Sequence, residues 1–262
     1  MAELPGIRLY YEAAGAGEPV VMISGLGADG HFWYKQVPAL ATRFVVVTFD
    51  NRDTARSEKP ESPYSTRDLA GDVHGLLRAL EIGSAHVIGA SGGGFIAQEF
   101  ALAYPDRVRS LVLCCTSPGG PDAEPIPAQT LALLANRSGD PERDLRAFLE
   151  IQVATDYLQA RADEVNEYVA WRVAHPQPLP SYHRQLAAFV AHDAAGRLTD
   201  LRLPVLVLHG AHDRVVPARN AELLAARIPR ARLHIFPDAG HLFLWERAEE
   251  ANALILEFLT QA

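Results

Sequence analysis

Cysteine is nearly absent: Cys114 and Cys115 are the only two, and as neighbours they cannot staple distant segments together. At the end of an apolar run they read as buried thiols rather than redox or metal groups. No run of Lys and Arg occurs, and the formal charge of −8 opposes binding to nucleic acid or an anionic membrane surface. No apolar stretch approaches the length that spans a bilayer. Met1 to Gly6 lack a basic patch followed by an apolar stretch, so a cytoplasmic protein without a secretory signal is expected. Internal repeats and low-complexity tracts are missing too. What remains is an ordinary globular composition, 48% hydrophobic and 21% charged over 262 residues. That length holds one large domain, or a core with an insertion.

Strand and helix patterns alternate through the first half. Ile7–Glu12 and Val20–Ser24 read as strands, and Trp33–Leu40 as a helix. Phe44–Phe49 is rich in β-branched residues and too apolar to face water, as in a central parallel strand. Ser65-Thr66-Arg67-Asp68 makes a capping box, and Leu69, Val73, Leu76, Leu77 and Leu80 follow at helical spacing. The strand Ala85–Ala90, a helix stopped before Pro105, and the strand Val108–Cys115 continue the series. Such units predict an α/β fold, with a mostly parallel central sheet and helices on both faces.

The alternation breaks at Ser117-Pro118-Gly119-Gly120-Pro121. From there to about Gly196 only helices are expected. One starts at Asp140-Pro141-Glu142, an N-cap followed by proline at the first helical position; another contains Trp171, and a third starts near Ser181. Strands Val205–His209 and Leu233–Phe236, then an amphipathic helix through Leu254, Ile255, Phe258 and Leu259, return to the sheet. The expected organisation is a core domain of residues 1–117 and 197–262 with a helical cap (lid) inserted over 118–196.

Ser91 lies in Gly89-Ala90-Ser91-Gly92-Gly93, between the strand Ala85–Ala90 and the helix-like stretch Phe95–Tyr104. A serine on a turn this tight points its hydroxyl out from the end of a sheet, which is the geometry of a nucleophile elbow. Gly92-Gly93-Gly94 is no phosphate loop, since no Gly-Lys-Ser/Thr follows. A serine hydroxyl needs a base, and the base needs a carboxylate to fix its tautomer. Asp213 follows the strand Val205–His209, and His241 follows Leu233–Phe236 in Pro237-Asp238-Ala239-Gly240-His241. Loops at the carboxyl ends of parallel strands meet on one rim, so the three residues converge there. Asp238 is the rival carboxylate, but it shares the loop of His241. His209, His212 and Asp213 mimic a metal motif without the helical spacing that chelation favours, so no metal is expected. Asp50 and Arg52 read as a loop-fixing ion pair.

These motifs, in the order Ser, Asp, His, resemble the α/β-hydrolase superfamily over essentially the whole chain, in its serine esterase and enol-lactonase branch. The resemblance extends to Ser24-Gly25-Leu26-Gly27 and to the segment Phe49–Ser57. It implies a catalytic triad of Ser91 as nucleophile, His241 as general base and acid and Asp213 as orienting carboxylate, with an oxyanion hole from the backbone N–H groups of Leu26 and Gly92. Four positions depart from the family pattern. Ser24 stands where many relatives carry histidine, and Asp53 and Ala55 stand where glycines are usual. Gly92 replaces a common methionine, which leaves room for a larger cavity beside the serine. Phe32, Trp33, Trp171 and Phe243 are candidates to line the substrate pocket.

The function expected from the triad is cofactor-free hydrolysis of a small carboxylic ester or lactone through an acyl-enzyme. The alternatives are a C–C bond hydrolase of ring-cleavage diketones and a slow-turnover ligand receptor on the same fold. The partner is then a small-molecule ester or lactone, with no nucleic acid and no membrane; a homodimer is left open.

Overall fold

The computed structural model describes residues 1–154 and 156–262. Strands β1 (Ala2–Leu4) and β2 (Ile7–Leu9) pair as a separate antiparallel hairpin. A seven-stranded sheet contains β3 (Tyr11–Ala14), β4 (Glu18–Ile23), β5 (Phe44–Phe49), β6 (Ala85–Ala90), β7 (Val108–Cys114), β8 (Val205–Gly210) and β9 (Ala231–Phe236). Its order is β3-β5-β4-β6-β7-β8-β9, and every pair is parallel except β3 with β5. The stretch Ile7–Glu12 is therefore two strands, not one. It breaks at Tyr10, whose N–H donates to Ser57 Oγ at 2.8 Å while its carbonyl accepts from Asp50 N–H at 3.0 Å.

Successive side chains of a strand point to opposite faces, so a sheet covered on both sides needs apolar residues throughout. Val21, Ile23, Val87, Leu111 and Leu113 pack on one face; Val20, Met22, Ile88 and Val112 pack on the other. The helices are α1 (Val37–Leu40), α2 (Thr66–Ala79), α3 (Gly92–Ala103), α4 (Ala128–Ala135), α5 (Pro141–Gln152), α6 (Tyr157–Ala160), α7 (Ala162–Ala174), α8 (Leu179–Val190), α9 (Arg219–Arg227), α10 (Phe243–Glu246) and α11 (Ala248–Gln261). Residues of α2, α3 and α9 join the first face, and those of α1, α10 and α11 the second. The capping box at Ser65 and Asp68 starts α2, and Asp140 caps α5 by accepting from Glu142 and Arg143 N–H. The helix expected over Trp33–Leu40 is shorter. Gly30–Trp33 is a 3-10 turn, and Pro38 has no N–H with which to extend α1 backward. No helix among the described residues is long and apolar enough to cross a membrane.

Between β7 and β8 the described residues add α4 to α8 and no strand to the sheet. The two ends of this helical insert meet: Gly119 bridges Asp193, Ala194 N–H donates to Pro118 O at 2.9 Å, and Gly120 N–H to His192 O at 3.2 Å.

His192 sits at that junction. Its ring stacks on Phe95, and its Nδ1 lies 3.3 Å from Thr66 Oγ1 and 3.7 Å from Glu99 Oε1. Burial holds its pKa down at about 4; Glu99 and Asp193 pull it up, and Arg197 and Arg67 push it down. A histidine kept neutral in the fold but charged in the unfolded chain costs stability as pH falls. Its contribution is complete above about 6.5 and is lost on the way to about 4, amounting to about 3 kcal/mol. Melting temperature should therefore drop across this window, and drop less in His192→Gln. Equal drops in the two proteins would clear His192 of the effect.

Candidate active site

The apolar strand β6 runs into Ser91 and directly on into α3, and the turn forces Ser91 to φ 55°, ψ −123°. A non-glycine residue held there costs on the order of 1–3 kcal/mol and persists only where its surroundings over-determine it. They do so here. Ser91 N–H donates to Cys114 O at 2.9 Å, and Thr116 Oγ1 donates to Ser91 O at 2.8 Å, so the end of β7 pins both main-chain groups. Glycine is required on both sides of the turn. A Cβ on Gly89 would lie 2.4 Å from Gly93 O, and one on Gly93 would lie 2.0 Å from Ile23 O.

Asp213 follows β8 on a turn whose N–H groups close on its side chain. Oδ1 accepts from Val215 N–H at 2.7 Å and Val216 N–H at 2.8 Å. Oδ2 lies 2.7 Å from His241 Nδ1 and 3.1 Å from His209 Nε2. Burial alone would raise the pKa of this carboxyl, but the charge of His241 and the hydrogen bonds of His209 and His241 hold it well below the ordinary carboxylate range. An ionised carboxylate only accepts, so the shared proton is on Nδ1 of His241, and Nε2 is the ring nitrogen that Asp213 does not engage. His209 Nε2 also donates to Val216 O at 2.9 Å, which makes this buried histidine a brace for Asp213. Asp238 is on the surface, 3.4 Å from Arg247, and His212 is exposed.

Ser91 and His241 line one cavity of about 260 Å³. Among the described residues Ser91 Oγ makes no hydrogen bond, with His241 or otherwise; such contacts often close only around a substrate. The loop Ser24–Gly27 passes close by. A Cβ on Gly25 would lie 3.0 Å from Ser91 Cβ and 3.2 Å from Gly92 N. The Leu26 and Gly92 N–H groups donate to nothing among the described residues. Ser24 supports the loop through Oγ, which donates to Asp29 O at 2.8 Å, and Asn51 Nδ2 donates to Ser24 O at 2.9 Å.

Of the four aromatic candidates only Phe32 lines the cavity. Trp33 and Phe243 are fully buried in the core, Trp33 edge-on to Phe32 and Phe243 stacked on Phe236. Trp171 faces away: it stacks between His31 and His175, and its Nε1 donates to Asp29 Oδ2 at 3.0 Å. The apolar wall comes instead from Leu145, Phe148, Leu149, Leu242 and Trp245. The first three fall at helical spacing on α5, an apolar stripe within the insert that signals this role in the sequence.

Other expectations are corrected as well. Asp50 and Arg52 do not pair with each other: Asp50 binds Arg56 at 2.9 Å, and Arg52 binds Asp72 at 2.6 Å. Gly92 opens no larger cavity, because the ring of Phe189 from α8 fills the space; a Cβ on Gly92 would lie 2.2 Å from it. Asp53 and Ala55 keep the left-handed backbone that glycines would give, at φ 70° and φ 35°. Asp53 is held there by a two-pronged bond from Arg184, at 2.7 and 3.0 Å.

A family model described as the alpha/beta hydrolase fold matches residues 18–248. The chain belongs to the alpha/beta hydrolases. This hydrolase is 32% identical over 276 residues to a 2-hydroxy-6-oxononadienedioate/2-hydroxy-6-oxononatrienedioate hydrolase of Paraburkholderia phymatum, a match covering 97% of the chain and 92% of the relative. It is 34% identical over 246 residues to a poly(3-hydroxyalkanoate) depolymerase of Ectopseudomonas oleovorans, covering 93% and 84%. The solved enol-lactonase of Burkholderia xenovorans superposes with a TM-score of 0.87 at 28% identity, covering 98% of each chain.

Proposed function

We propose that this hydrolase cleaves a small carboxylic ester or lactone, with Ser91 as nucleophile. The observation that carries the reading is the 2.7 Å bond between Asp213 and Nδ1 of His241, a residue that lines the same cavity as Ser91 and has its Nε2 left for the serine. His241 Nε2 takes the Ser91 proton as Oγ bonds to the carbonyl carbon. The oxyanion is held by Leu26 and Gly92 N–H, each such donor being worth about 3 kcal/mol. His241 then protonates the leaving alkoxide and the acyl-enzyme forms. A water gives its proton to His241, attacks the acyl carbon and releases the acid, returning the proton to Ser91. At about 260 Å³ the cavity lies just below the usual range of ligand sites, about 300–1,000 Å³, and its apolar wall suits a short hydrocarbon acyl or ring.

The same machinery serves a second reading, a C–C hydrolase of vinylogous diketones, which the name of the Paraburkholderia relative favours. Both are tested by kcat/KM on a panel of p-nitrophenyl esters, lactones and a vinylogous diketone. The ester or lactone reading expects those substrates to exceed the diketone; the reverse ranking replaces it with C–C cleavage. A serine-directed phosphonate should add its mass at Ser91, and an adduct elsewhere removes Ser91 from the role.

A further inference from the structure

The helical insert holds the loop that carries the Leu26 N–H. Gly27 has a left-handed backbone at φ 65°, and both of its main-chain polar groups are bonded from the insert. Its N–H donates to Gln185 Oε1 on α8 at 2.8 Å, and its carbonyl accepts from Arg172 Nη2 on α7. The core supplies neither partner among the described residues. Gln185 is itself fixed. It is fully buried, Gln177 Nε2 donates to the same Oε1 at 3.2 Å, and its own Nε2 lies 3.5 Å from Thr54 Oγ1. Arg172 is anchored by Tyr168 Oη at 3.3 Å and by Asp29 at 3.9 Å.

We propose that Gln185 and Arg172 are positioning residues that aim the Leu26 N–H, so that the oxyanion hole is complete only while the insert is seated. This rests on the reading of Leu26 and Gly92 as oxyanion donors. The physical link is short. Gln185 fixes the Leu26–Gly27 peptide plane through the Gly27 N–H, and Arg172 fixes the Gly27–Ala28 plane through the carbonyl. The Leu26 N–H, one plane upstream, is left little freedom. Gln185 does not line the cavity, so a change there reaches the reaction through Gly27 and not through substrate contact.

Gln185→Met keeps the length and removes the acceptor. It should lower kcat about 10- to 100-fold with KM within about 3-fold, and weaken a trifluoromethyl ketone by the same factor as kcat. Gln185→Glu, which still accepts from Gly27, should restore kcat to within a few fold of wild type. An unchanged kcat in Gln185→Met, a change confined to KM, or a glutamate variant no better than the methionine one would overturn the proposal. Amide exchange in the wild-type protein gives a readout that needs no variant. The Gly27 N–H should be protected as well as the amides of α8, and exchange at the solvent rate sinks the clamp. Phosphonate labelling separates the two readings: a wild-type protein with no Ser91 adduct fails the reading of the site, while Gly27 protection still reports on the clamp.

Discussion

Replacing Ser91 with alanine should lower kcat by about ten-thousand- to a million-fold and leave the fold intact. In the proposed triad His241 and Asp213 act only through the serine, so removing it disables all three together, which is why the expected loss is that large. What would remain is the contribution of binding and of the proposed Leu26 and Gly92 donors. The fold should not notice. Ser91 Oγ makes no hydrogen bond among the described residues, and alanine meets the same backbone strain at φ 55° as serine does. Melting temperature is therefore expected within about 2 °C of wild type, and KM close to unchanged. Steady-state kinetics and a thermal melt on one preparation read both quantities. A residual rate within a hundred-fold of wild type would mean that another nucleophile carries the chemistry.

Gly93→Ala should be the most damaging substitution to stability, costing more than about 4 kcal/mol. The added Cβ would sit 2.0 Å from Ile23 O and 2.9 Å from Ser24 O, both main-chain atoms at the end of β4. That strand is paired on both sides, to β5 and β6, and cannot back away without breaking the ladder. Gly92→Ala is the control. Its Cβ also clashes, but with the Phe189 ring, a side chain that can rotate at a cost of about 1–3 kcal/mol. In a Phe189→Ala background, already destabilised by loss of that ring, Gly92→Ala should add little further cost, whereas no side-chain truncation should spare Gly93→Ala its main-chain clash. Soluble yield and melting temperature measure the contrast. A Gly93→Ala protein melting within a few degrees of wild type would show that β4 yields where its pairing says it cannot.

What the sequence made legible is local or periodic. The glycine-bracketed Ser91, the capping box at Ser65 and Asp68, the Asp140 N-cap and the β-branched run Phe44–Phe49 each carry their reason within a few residues. The parallel sheet follows from repetition of such units, and it delivers Asp213 and His241 to the rim. Direction is not written in this way. Trp33, Trp171 and Phe243 are apolar enough for a pocket wall, but which way a ring turns is decided by partners that no periodicity announces, such as Asp29, 142 residues from Trp171, and Phe236, across the loop from Phe243. Ion pairing failed for a related reason. Asp50 and Arg52 are near in sequence, yet their partners Arg56 and Asp72 are selected by how the loop folds over α2. The filling of space beside Gly92 was invisible because Phe189 arrives from another part of the chain.

The bridge between Gly119 and Asp193 gives the helical segment between them a common doorway onto the sheet. A module that leaves and rejoins through adjoining backbone can be exchanged for one of another size without shifting a single strand. Such a fold can be refitted for a new substrate by trading the roof, provided the new roof still grips Gly27 as Gln185 and Arg172 do.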